Sequence, residues 1–210
     1  MKKFHSFLFF WVLFFIPSMY FFPKALLMDR GLYLGLYDLT PQQKFMFSHM
    51  AETMPPIVDI STLEIIVINS FVALCLWFSV LLIYYFFHKR QEGKYQYKFI
   101  LYLAIFCNAF FYIKEGLRMG YTVYSFSESM GIPYASSFLT LIFPHLIPEF
   151  TAFIITSILS MQWISEKMKY GKTNVSLKLF LIPFVILIFA GIVETTLTPF
   201  VFRSYLFYYL

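Results

Sequence analysis

The chain has 210 residues, 60% apolar and 13% charged, with 29 phenylalanines and a formal net charge of +5. That balance excludes an ordinary soluble domain, where apolar residues make up about half and charged ones about a quarter. It predicts an all-α, polytopic membrane protein, a bundle of about five transmembrane helices in which basic residues report topology and not nucleic-acid binding.

Residues 4–22 follow a basic Met1-Lys2-Lys3 start and form the first expected span. The run is longer and more aromatic than a signal-peptide core, and no small-x-small cleavage site follows it. It is therefore expected to stay as an uncleaved helix, bent by Pro17 near its far end. Residues 23–64 make the outer loop. Within it Thr40-Pro41 offers a capping hydroxyl and then proline at the first helical position. Residues 42–54 place Phe45, Phe47 and Met50 on one side, the pattern of an amphipathic helix lying in the membrane interface. Pro55-Pro56 ends it.

Residues 65–87 form the second span, free of charge and long enough to cross a hydrocarbon core of about 30 Å. Its Asn69 is expected to hydrogen-bond to a neighbouring helix. Cys75 and Cys107 both fall within apolar runs and read as small apolar residues, not as a disulfide or metal pair. A short basic loop over residues 88–98 leads to the third span, 99–124. Lys114, Glu115 and Arg118 interrupt its apolar pattern, and Gly116 and Gly120 form a G-x-x-x-G that permits close helix approach.

The fourth span is expected over residues 137–164, with Ser136 or Ser137 as its cap. It contains Phe143-Pro144-His145-Leu146-Ile147-Pro148-Glu149-Phe150. His145 and Glu149 are four apart and would share a face of an unbroken helix. Pro144 and Pro148 instead predict a broken one. A second basic loop, residues 165–172, leads to the fifth span, 177–200. Pro183 is a further expected break, and Glu194 lies in Gly191-Ile192-Val193-Glu194-Thr195-Thr196-Leu197-Thr198-Pro199. Arg203 and an aromatic tail finish the chain at an interface.

The basic residues orient this arrangement. Lys2, Lys3, Lys89, Arg90, Lys94, Lys98, Lys167, Lys169, Lys172 and Lys178 fall on one side, against Lys24, Arg30, Lys44 and Arg203 on the other. The bias puts the N-terminus in the cytoplasm and the C-terminus outside. At about 1.5 Å per residue, Lys114 and Glu194 stand about 24 and 25 Å above the inner ends of their helices, and His145 and Glu149 about 12 and 18 Å below the outer end of theirs. Lys114, Glu115, Arg118, His145, Glu149 and Glu194 are thus expected to meet in the outer half of the bilayer.

Ionisable groups at membrane depth are costly and usually functional. Three readings of this set remain open. Lys114 and Arg118 could be counter-charges in a buried ion-pair network that fixes helix register. His145, Glu149 and Glu194 could hold zinc with a position left for water, as in a metal-dependent intramembrane peptidase, although H-E-x-x-H is absent. Or proline-broken helices could expose backbone groups that bind an ion or part of a peptide. Serine nucleophiles are not supported: Ser157, Ser160 and the threonines after Glu194 lie on apolar helices, where hydroxyls commonly bond to backbone carbonyls. No nucleotide-binding loop and no G-x-S-x-G occur in the sequence.

Pro144-His145-Leu146 followed by Glu149, and Glu194 followed by Thr198-Pro199, resemble the central motifs of the stage II sporulation protein M family. Asn69 in the second span resembles that family's second-helix entry. Leu146 stands where the family has glycine, and Pro148 is an added proline. The resemblance implies a partner-dependent protein of the bacterial cytoplasmic membrane. The family's namesake works with peptidoglycan-degrading partners during spore engulfment, and relatives accompany ABC-type exporters and circular bacteriocin production. The expected partners are membrane lipids and an ABC-type ATPase, another membrane subunit, a peptidoglycan hydrolase or a second copy of the chain. A peptide is the expected substrate. No nucleic acid and no cofactor are expected, zinc being the one metal the polar set allows.

Overall fold

Long runs of Phe, Leu, Ile and Tyr, bounded by charged or proline-containing turns, give this chain its helices. The computed structural model describes residues 3–21, 60–88, 94–130, 133–139 and 143–209, which are helical almost throughout and include no strand. Helix α1 is Lys3–Phe15, continued by a wider π-helical segment, Ile16–Phe21. Helix α2 is Ile60–His88, α3 is Lys94–Met130, and α4 is the single turn Tyr134–Ser137. Helix α5 is Phe143–Tyr170 and α6 is Leu181–Tyr209. The outer-loop helix expected over residues 42–54, and part of the first basic loop, lie outside the described residues.

Four of these helices, α2, α3, α5 and α6, are long and apolar enough to cross a membrane, and α1 carries a shorter apolar stretch, Leu8–Ser18. The sequence reading expected five comparable spans. The helical run of α1 and its π segment, residues 3–21, nonetheless covers nearly all of the first expected span, and Pro17, which has no N–H to offer the α-helical ladder, stands where the backbone widens. Ser18, fully buried there, donates its hydroxyl to the Phe14 carbonyl at 3.0 Å, and Tyr134 donates to the Ser18 carbonyl. Polar side chains thus satisfy backbone groups where the helix changes form.

Burial runs opposite to that of a soluble protein. Phe71, Phe106, Tyr102, Val185 and Phe200 are each more than 60% exposed, while Asn108, Ser157 and Ser160 are fully buried. Water would penalise that distribution, whereas lipid tails would not. The interior centres on α5, whose Leu146, Phe150, Phe153, Ile154 and Ser157 recur at helical spacing and are all buried. Phe150 meets Phe14 of α1 with ring centroids 3.9 Å apart, and Phe10 and Tyr112 close the same aromatic cluster. The Tyr112 hydroxyl and Ser157 share a hydrogen bond of 2.9 Å, which ties α3 to α5 inside it.

The proline breaks expected at Pro144, Pro148 and Pro183 do not occur. Helix α5 runs unbroken from Phe143 with Pro148 inside it. Pro144 is its second residue, where an N–H has no intrahelical partner in any case. Pro148 forfeits only the bond to the Pro144 carbonyl, at the open end of the helix, and Leu146 and Phe150 anchor that turn in the core. Pro183 likewise falls in the first turn of α6, after a short 3-10 turn at Leu177–Phe180. Only Pro199 stands deep in α6.

Ser137, an expected cap of the fourth span, ends the separate turn α4, and α5 is described from Phe143. The far end lengthens: α5 continues through most of the expected basic loop to Tyr170. There Gly171, at φ 69°, closes it with its N–H on the Lys167 carbonyl at 3.0 Å. Glu166 holds the following turn by accepting from Thr173 and from the Asn174 N–H.

Gly116 is where α1 reaches α3. A Cβ at this position would collide with the backbone carbonyl of Phe14, so the small residue sets how closely the two helices approach. Gly120 is buried one turn on, its carbonyl 3.4 Å from the Tyr134 hydroxyl. Asn69 is half-buried and makes no hydrogen bond to a described residue. The bridge from α2 to its neighbour is instead Thr62 donating to Thr195 of α6 at 3.0 Å.

Candidate functional site between α5 and α6

Helices α5 and α6 are joined by a short turn, run antiparallel and pack against each other more extensively than any other pair. This antiparallel pairing sets the first two turns of α5 against the stretch of α6 around Glu194. His145 and Glu149 lie one turn apart on α5, as do Glu194 and Thr198 on α6. Both pairs have i,i+4 spacing and so face one way. His145 is 7% and Glu149 8% exposed, and Glu194 is half-buried. One ligand-capable atom from each of His145, Glu149 and Glu194 lies within 4.8 Å of the others.

The structure therefore brings together three of the six polar residues expected at the site. The other three lie on α3, in direct contact with one another and near enough for Arg118 and Glu115 to act electrostatically on Glu149. The Arg118 guanidinium meets a Glu115 carboxylate oxygen at 2.7 Å, and the Lys114 ammonium lies 3.5 Å from the other. The Lys114 and Arg118 side chains are more than 60% exposed. Arg118 acts on Glu149 electrostatically but without a direct ion pair, while Glu115, at i,i+3 spacing from Arg118 and next to Lys114, makes the direct contacts to both cations. Among the described residues no ion pair joins Glu149 or Glu194 to a cation.

His145 is the third residue of α5 and Glu149 the seventh, about 3 and 9 Å along it from Phe143. Glu194 is the fourteenth of the 29 residues of α6, about 20 Å from its start.

Thr198 is the neighbour that sequence reasoning placed in a motif but not in the site. Its hydroxyl oxygen is 3.2 Å from His145 Nδ1, and the same hydroxyl donates to the Val193 carbonyl at 3.3 Å. A hydroxyl has one proton. With that proton on Val193, Thr198 accepts from Nδ1–H, which leaves Nε2 with its lone pair. The i,i+4 spacing from Glu194 was the signal that could have found it.

The other hydroxyls follow the backbone-bonding expectation. Thr156, Ser160, Thr195 and Thr196 donate to carbonyls three or four residues earlier on their own helices. Ser157 differs in its bond to Tyr112. A separate cleft lined by Phe10, Ile105, Ile158, Gln162 and Glu166 opens near the C-terminal end of α5, away from the cluster. No family model matches the sequence, and neither a curated protein nor a solved structure matches the chain.

Proposed function

We propose that this chain is an integral membrane subunit of a multi-protein assembly that handles peptide export, bacteriocin production or immunity, or cell-envelope remodelling. The His145, Glu149 and Glu194 cluster is its working part. The observation that carries this reading is the convergence of one imidazole and two carboxylates within 4.8 Å, in helices whose outward residues are almost all apolar. Such groups are expensive at membrane depth and are retained for a task. In this reading the five apolar helices cross a bacterial cytoplasmic membrane with the N-terminus inside, and the cluster lies towards the outer face.

The likeness of Pro144-His145 with Glu149, and of Glu194 with Thr198-Pro199, to stage II sporulation protein M motifs supports a partner-dependent role. The partner is an ABC-type ATPase, another membrane subunit or a peptidoglycan hydrolase, or the chain pairs with itself. A second reading, an intramembrane metal-dependent peptidase acting on a small peptide, is favoured by the same three-ligand convergence.

Affinity purification of the tagged chain in mild detergent, with mass spectrometry of what accompanies it, tests the first reading. A stoichiometric ATPase, transporter subunit or hydrolase is expected. A chain that reproducibly purifies alone overturns the assembly role and moves the weight to the peptidase. Orientation has its own test. An epitope inserted within residues 23–59 is expected to bind antibody on intact cells, and binding seen only after permeabilisation reverses the assigned topology.

A further inference from the structure

Resting on the reading of this cluster as the working site, we propose that His145, Glu149 and Glu194 ligate one divalent transition-metal cation of the zinc class. Thr198 acts as the positioning residue for the imidazole.

Three independent features point this way. The first is geometric. Ligand atoms around tetrahedral zinc, with bonds of about 2.0–2.2 Å, stand about 3.3–3.6 Å apart. The three candidate atoms are already within 4.8 Å of one another, about 1.2–1.5 Å from that spacing.

The second is charge. A buried carboxylate, Glu149, and a half-buried one, Glu194, converge with no ion pair to a cation among the described residues; Arg118 acts on Glu149 only at longer range, its direct contact being with Glu115. Two like charges so placed repel and are costly to desolvate, and one divalent cation balances both carboxylates while using the imidazole as a neutral ligand.

The third is the tautomer. His145 Nδ1 and the Thr198 hydroxyl oxygen are 3.2 Å apart, and with the Thr198 proton directed to the Val193 carbonyl the hydroxyl accepts from Nδ1–H. Nε2 is left free to bind, and an outer hydrogen bond of this kind commonly orients a metal-bound histidine. The mixed donor set also selects the metal. An imidazole nitrogen argues against calcium and magnesium, which take oxygen ligands, and the lack of thiolates argues against copper(I). Three protein ligands leave a coordination position for water or a polar group of a peptide.

The test uses the full chain purified in detergent, stripped with a chelator and titrated with zinc chloride alone. Cobalt(II) chloride serves as the coloured substitute. One equivalent per chain is expected, with cobalt giving visible bands. Glu149→Gln, Glu194→Gln and His145→Ala each lose the bands and bind zinc at least about 100-fold more weakly. Thr198→Val weakens zinc by about 10–100-fold, as outer-ligand losses do, while Thr198→Ser holds it near the original affinity. Circular dichroism confirms that each variant keeps its helix content. Binding by the unaltered chain no tighter than by His145→Ala overturns the metal site. If that happens while Glu149→Gln and Glu194→Gln still abolish cellular function, the cluster remains the working site and holds no metal. If metal binds and both variants keep full cellular function, the metal site stands and the functional reading falls.

Discussion

Gly116→Ala is expected to loosen α1 from the bundle, although alanine is the better helix former. The gain in helix propensity is worth about 1 kcal/mol. Against it stands a methyl group that would meet the Phe14 carbonyl oxygen, with the Phe14 carbonyl carbon at 3.2 Å and Cα at 3.3 Å. These are backbone atoms of another helix, so no rotamer change relieves the contact. Overpacking of this kind costs about 1–3 kcal/mol and sometimes more. Displacing α1 also withdraws the Phe14 ring from Phe150 and disturbs the Phe10 and Tyr112 contacts in the same cluster.

A net loss of about 1–2 kcal/mol is therefore expected for alanine, and a larger one for valine, whose branches point into the same space. Thermal unfolding in detergent and protease access to α1 measure it. Gly191→Ala is the matched control. Its Cβ would come within 2.5 Å of Ile66 Cγ1, a side-chain atom whose β-branched residue must change rotamer or shift to yield, while the nearest backbone atom, the Thr62 oxygen, is 3.7 Å away. The order of effects is thus Gly116 above Gly191. A neutral Gly116→Ala, or the reverse order, would mean that α1 is not seated on α3 as described.

Much of this architecture could be read from the sequence, because the signal lies in continuous stretches. Apolar runs placed the membrane-length stretches Thr62–Phe86 and Lys178–Val201 to within a few residues, and the G-x-x-x-G at Gly116 marked a real close approach. The errors arose where one residue type has two physical meanings. Pro144, Pro148 and Pro183 read as breaks, yet each falls in the first two turns of its helix, where few backbone bonds can be lost. That ambiguity is one of position along the helix, and it disappears only when the helix start is known.

Partner choice is underdetermined for a related reason. The six charged or titratable residues are expected at one level, but level does not specify which face of α3 is turned inward. Glu115, only 12% exposed, points in, while Lys114 and Arg118 turn out beside it. Asn69 shows the same limit. Its polarity predicted a bridge, but the bridge from α2 was made by Thr62 to Thr195, a pair with no polar prominence in the sequence.

Glu149→Gln and Glu194→Gln are each expected to abolish complementation of a deletion strain, with protein level and membrane insertion unchanged. Glutamine keeps the size of glutamate but replaces one acceptor oxygen with a donor NH2 and removes the charge, and a neutral side chain is easier to insert into a bilayer. A fold defect is therefore the less natural outcome, and the substitution isolates the carboxylate.

The contrast with α3 makes the prediction specific. Lys114→Gln and Arg118→Gln remove exposed partners of a local ion pair, interactions worth about 0–1 kcal/mol. They are expected to leave most of the function intact. If all four variants fail alike, the two groups work as one network, and the assignment of the site to His145, Glu149 and Glu194 alone is wrong. If the α3 variants fail while Glu149→Gln and Glu194→Gln complement fully, the working charge is on α3. Loss confined to Glu149 and Glu194 ties function to the carboxylates that the antiparallel pairing of α5 and α6 brings opposite His145.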